Sequence, residues 1–261
     1  MKELKLIIPF FKYNFKRLQI YDKDFYLGIV GLIIENILNL LMLFFIYTLI
    51  PSLDGFTFNE MLLLYGVASL SFAIWRCLFI NTLNVGSMVR YGRLDTFLLR
   101  PINVLYQVMM DGFDDDAWGD LVFALLVIGY TAVTQSINIV WVILLIILSI
   151  FTSLIFAGIS IVGSSLSFIT QGIADFSQIV YNFFQFAKYP INIFGGGMKF
   201  VFTFVIPIGW VAAIPVKLLI NHNIRSFAFM LIVACGISVI FFWITTKIWN
   251  FMLTKYVSTG S

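Results

Sequence analysis

The sequence predicts an all-α integral membrane protein: six transmembrane helices, an N-terminal interfacial amphipathic helix, and re-entrant helices between spans five and six. Three observations predict it. Of 261 residues, 61% are hydrophobic and 11% charged, against roughly 25% charged in an ordinary soluble domain. Mean hydropathy is +1.00. The apolar residues fall in runs long enough to cross a hydrocarbon core of about 30 Å. A soluble globule of this length cannot hide so much apolar surface, because much of any globule stays exposed. Lipid is therefore the solvent. The net charge of +3 is too small to imply a nucleic-acid partner.

Residues 1–24 carry Lys2, Lys5, Lys12, Lys16, Arg17 and Lys23. Leu4, Ile8, Phe11, Phe15 and Leu18 share one helical face, opposite most of the lysines. Such a helix lies in the headgroup plane beside anionic lipid. A single transmembrane domain follows over 25–261. Its first span, 25–50, ends at Pro51 and serves as an uncleaved anchor. The loop 52–59 lacks Lys and Arg, and 60–87 is span two. The polar stretch 88–116 holds Arg90, Arg93, Arg100 and a run of aspartates. Spans three and four, 117–133 and 138–169, are joined by an uncharged turn. The loop 170–176 carries Asp175; spans five and six are 177–194 and 226–251.

Basic residues near short loops mark the cytoplasmic side. The N-terminus has six, 88–116 has three and 52–59 none, which places the first two inside. The region 188–225 is interrupted by Pro190, Gly195, Gly196, Gly197, Pro207, Gly209 and Pro215. Charge counting does not decide between a seventh span over 200–216 and re-entry over 195–221. The density of breakers favours re-entry, with both termini cytoplasmic.

In span four, Gly158, Ser160, Gly163, Ser164, Ser165 and Ser167 predict close packing on a neighbouring helix. Cys77 and Cys235 sit in apolar runs and read as packing residues. No Gly-rich phosphate loop ending in Lys-Ser or Lys-Thr occurs, so ATP is not bound by that route. One histidine, His222, makes no metal site, and Asp111, Asp114, Asp115, Asp116 and Asp120 lack the spacing of a calcium loop. The aspartates are expected to complement the positive end of span three's helix dipole. No cofactor or catalytic chemistry is expected.

Glu35 and Arg76 are charges inside spans. Each lies about 15 Å from the cytoplasmic end of its helix at 1.5 Å per residue. A lone charge at that depth costs about 2.5–3.5 kcal/mol, which predicts either a Glu35–Arg76 pair with Asn36 or Asn39 beside it, or one or both charges lining a wet pathway where they meet substrate.

The stretch from Val89 to Pro101 reads VRYGRLDTFLLRP. It resembles the cytoplasmic signature of a bacterial permease family within the type-two ATP-binding-cassette exporters, Arg-x-Gly-x-Leu-Asp-x-x-Leu-Leu-Arg-Pro. Leu62–Gly66, Phe113-Asp114, Gly119–Leu121, Tyr189-Pro190, Pro207 and Pro215 agree with it over nearly the whole chain, whereas Asp115, Asp116, Glu35 and Arg76 depart from it. The resemblance implies a bacterial plasma-membrane protein and an exporter for hydrophobic or amphipathic compounds. It also implies a second similar permease and two copies of a separate ATPase. Segment 88–101 would be the coupling element, carried by Arg90, Gly92, Arg93, Leu94, Asp95, Phe97, Leu98, Leu99, Arg100 and Pro101. Within it, Leu94, Phe97 and Leu98 are expected to form an apolar anchor for the ATPase groove, with the arginines pairing to acidic groups or lipid phosphate. Two other function classes remain: an ion-driven secondary transporter, which lacks a matching broken pair in the first half, and a membrane scaffold or immunity factor.

Overall fold

The computed structural model describes residues 22–112, 114–171, 177–220 and 224–258. Most of the predicted interfacial helix, together with Phe113, Asp175 and His222, lies outside these residues. Among the described residues, five helical stretches are long and apolar enough to cross a membrane: Tyr26–Leu49, Phe58–Arg90, Ala117–Thr134, Ile139–Thr170 and Phe227–Leu253.

Helix α1 (Asp22–Leu49) stops short of Pro51. A tight turn follows, with Asp54 and Gly55 at φ of 52° and 79°. Helix α2 (Phe58–Phe79) starts at a capping box in which the Glu60 carboxylate accepts from the Thr57 amide, 2.7 Å. It runs through a 3-10 turn, Ile80–Asn84, into α3 (Val85–Arg90). Two short helices follow, α4 (Arg93–Leu98) and α5 (Val104–Met110). Helices α6 (Ala117–Thr134) and α7 (Ile139–Ser165) come next, with α8 (Ser167–Thr170) extending α7.

Span five departs from the single helix expected over 177–194. Helix α9 (Ser177–Ala187) has 11 residues, and after a break at Lys188–Pro190 only the 3-10 turn Ile191–Ile193 follows. Proline supplies no amide to continue the helix and disfavours helical geometry before it. The broken region holds α10 (Gly196–Phe200), a π-helical turn Val201–Val205, a 3-10 turn Ile208–Trp210 and α11 (Ala213–Ile220). Its halves, Gly196–Val205 and Ile208–Ile220, meet at 75° around Pro207. Helix α12 (Ile224–Leu253) is the last span.

Helix α2 is the hub. Its apolar window is 78% buried, against 11% in α1 and 17% in α12, which show their apolar sides to lipid. Lipid tails remove the hydrophobic drive between helices, so close approach and hydrogen bonds hold the bundle. A Cβ on Gly158 would lie 2.7 Å from the Phe241 ring, and one on Gly119 2.9 Å from the Ile29 carbonyl. The small-residue face of span four therefore packs on α12 through Gly158, while Ser160 turns to α2 and accepts from the Trp75 indole, 3.2 Å. Ser71 and Thr152 share a further α2–α7 bond, 2.9 Å.

Particular contacts set the direction of each helix. Gly28 abuts Asp116 at the start of α6. The Gln135 amide donates to the Asn59 carbonyl, 2.8 Å, so α6 ends where α2 begins. Trp141 meets Phe227 and Phe168 meets Trp249, making α7 and α12 parallel. Phe184 stacks on Phe72 at 3.8 Å, Tyr181 lies by Trp75 and Lys188 by Tyr65, so α9 runs antiparallel to α2. Asn192 and Lys217 both bond Asp54, at 2.8 and 3.0 Å. The described chain ends thus share a face with 85–116; Asp54, Asn192 and Lys217 lie on the other.

Candidate functional site

A helix of six residues cannot sustain itself without tertiary packing, and α4 is packed on several sides. Gly92 precedes it at φ 67°, a left-handed value at which a Cβ is strained. Leu94 and Phe97 bury their side chains in a second core with Met88, Val108, Ile161 and Trp249. The Gln107 amide donates to the Phe97 and Ile102 carbonyls, both at 2.9 Å, which holds the turn around Pro101. Arg93 pairs with Asp111 at 2.6 Å, and the Arg100 guanidinium lies 5.5 Å from the Phe97 ring centre.

This packing corrects the expected anchor. Leu94 and Phe97 hold the elbow formed by residues 88–101 to the bundle, and of the three predicted anchor residues Leu98 alone stays at the surface. Tyr91 at 79% exposure and Leu99 at 87% join it there. The exposed ridge is Tyr91, Leu98 and Leu99. Asp95 faces the chain's own tail, accepting from the Tyr256 and Ser258 hydroxyls at 3.0 and 2.6 Å.

The second cluster surrounds Arg76. Its Nε and Nη2 donate to Asp114 Oδ2 at 2.7 and 2.6 Å, and its Nη1 donates to Asp120 Oδ2. Asp120 Oδ1 accepts from the Asn36 amide, 2.6 Å, and Asn36 Oδ1 accepts from the Tyr65 hydroxyl, 3.0 Å. One polar chain thereby links α1, α2, α6 and the loop ahead of α6. The Glu35–Arg76 pair does not form. Glu35 is exposed, while Asn36, about 100° further round the helix, is buried and enters the network. The aspartates therefore do more than complement a dipole: two of them neutralise a buried guanidinium. Burial first, then the Asp114 carboxylate, holds the Asp116 carboxyl above the ordinary carboxylate range.

Sequence reasoning passed over Lys188. Its ammonium is buried, 4.1 Å from the Phe184 ring centre and 5.1 Å from that of Tyr65, and donates to Gln185 Oε1 at 3.2 Å. The readable signal was a lone cation in an aromatic-rich stretch. On the opposite face from the elbow, a pocket of about 420 Å³ is lined by Asp54, Phe56, Asn192, Lys199, Thr203 and Lys217, among others.

No curated protein and no solved structure matches the chain. A family model described as ABC-2 family transporter protein matches residues 33–260, a range that takes in the elbow, the Arg76 cluster and the broken segment. With that match over an all-helical bundle of membrane-spanning length, the chain belongs to the ABC-2 transporter family: it is a membrane permease of an ATP-binding-cassette transporter, a class that works with an ATPase partner.

Proposed function

We propose that the chain is one permease subunit of an ATP-driven exporter in a bacterial plasma membrane. It forms half of the pathway for a hydrophobic or amphipathic compound, whether drug, peptide or lipid-like. A second, similar permease supplies the other half, and two copies of a separate ATPase hydrolyse ATP. The elbow of residues 88–101 seats in the ATPase, with its face cytoplasmic by the placement of basic residues. The region 195–221 re-enters from outside, a reading supported by Asn192 and Lys217 meeting at one aspartate.

The observation that carries the docking proposal is the exposed ridge of Tyr91, Leu98 and Leu99 on an elbow whose other apolar residues are packed inward. A rigid ridge loses little conformational entropy on binding. Burying two leucines contributes about 3–6 kcal/mol, so replacing Leu98 and Leu99 together by Asp should weaken capture of the cognate ATPase by roughly 100-fold or more. Membrane insertion should be unaffected. Wild-type capture and wild-type stimulated hydrolysis in that variant would sink the docking proposal.

A further inference from the structure

Asp95 stands at the centre of the elbow, where an outward carboxylate would be a contact for the partner. Instead both its oxygens are engaged within the chain: Oδ1 by the Tyr256 hydroxyl at 3.0 Å and Oδ2 by the Ser258 hydroxyl at 2.6 Å. Those donors lie just beyond Leu253, where α12 ends. The Tyr256 ring rests edge-on against Phe168, ring centres 5.9 Å apart, and Phe168 packs on Trp249 at 4.8 Å. The tail is thus held by its ring to the α7–α8 end and by its hydroxyl to α4. Helix α12 starts on the far face, beside Trp141 and soon after the broken segment. It forms a continuous 30-residue rod from that face to the elbow.

We infer that Asp95 is a positioning residue that ties the end of the last span to the coupling elbow, so that α4 and α12 move as one unit when the ATPase works. The inference rests on the elbow being the docking element. The chemistry suits a tie. Bonds from hydroxyls to an ionised carboxylate are roughly twice as strong as neutral ones. With a separate donor on each oxygen, the carboxylate is fixed in rotation as well as position. Leu94 and Phe97 hold α4 from the core side, and Asp95 holds it to the tail. A push at Leu98 or Leu99 then reaches α12 through the tail as well as through the core.

The test uses the full chain in lipid nanodiscs, alone and assembled with its ATPase. Tyr256→Phe with Ser258→Ala removes both hydroxyls and keeps the ring on Phe168. In the chain alone, hydrogen exchange of the α4 amides should speed up about tenfold, the equivalent of about 1.4 kcal/mol. In the assembly, ATPase capture should stay at the wild-type level while stimulated hydrolysis falls by a similar factor. Adding Asp95→Ala should produce little further loss, because it cuts the same bonds. Unchanged exchange overturns the tie. So does a tail variant that loses ATPase capture as Leu98→Asp with Leu99→Asp does, since the tail would then be a docking contact. So does full stimulated hydrolysis in the tail variant. If the wild-type chain captures no ATPase, the docking proposal fails by itself, and the exchange measurement still decides the tie.

Discussion

Replacing Arg76 by Met keeps most of the side-chain bulk and removes the charge that three segments share. The guanidinium side chain is 10% exposed and meets Asp114 and Asp120, themselves 17% and 11% exposed. Removing one partner of a buried ion pair costs about 3–5 kcal/mol, because the other charge is left uncompensated. Here two carboxylates are left. Part of the loss is offset, since Asp120 keeps the Asn36 amide and Asp114 keeps the Asp116 backbone N–H at 3.2 Å. Protonation of one carboxylate offsets more. The expected loss is about 3–4 kcal/mol, which at a few degrees per kcal/mol for a chain of this size lowers Tm by on the order of 10 °C. Cys77 adjoins Arg76 and is 9% exposed, so a thiol-reactive dye in a Cys235→Ser background reports the opening. Asp120→Asn should cost about half as much, because Asp114 still faces Arg76. Glu35→Gln should melt well above Arg76→Met, since that carboxylate is exposed and, among the described residues, forms no ion pair. An Arg76→Met protein that melts with the wild type refutes the reasoning, as does a Glu35→Gln protein that melts with Arg76→Met.

Two further expectations concern packing and topology. Gly158→Leu drives a side chain into the Phe241 ring and Thr245. It should separate α7 from α12 and cost about 1–3 kcal/mol; a melting curve like the wild type's argues that the two helices are further apart. Cysteines placed at Lys199 and Leu218 should both be modified by an impermeant thiol reagent from outside, while a reporter fused after Ser261 behaves as cytoplasmic. An extracellular reporter would instead make 200–216 a crossing.

The sequence by itself determined that lipid is the solvent, that several helices reach membrane-spanning length, and that a polar segment with three arginines follows span two. These are one-dimensional properties. Span length follows from membrane thickness, and charge is read directly from composition. That Arg76 needed a carboxylate was legible, but its level was not: the sequence placed it some way inside the span beside Glu35, whereas it meets Asp114 and Asp120 at the start of α6. What could not be read was rotation about the helix axis. Glu35 and Asn36 differ by about 1.5 Å in depth and about 100° in direction. Only the packing of α1 against α6, at Ile29 and Gly119, decided that Asn36 turns inward and Glu35 outward. Leu94 and Leu98, four residues apart, share one helix face; what separates them is the reach of the second core, which covers the first fully and leaves the second, at the end of α4, 44% exposed. Sequence distance hid the tail's hold on Asp95, whose donors lie 161 and 163 residues away. A chain can state that a buried charge needs a partner; only the neighbouring helices decide which residue supplies it.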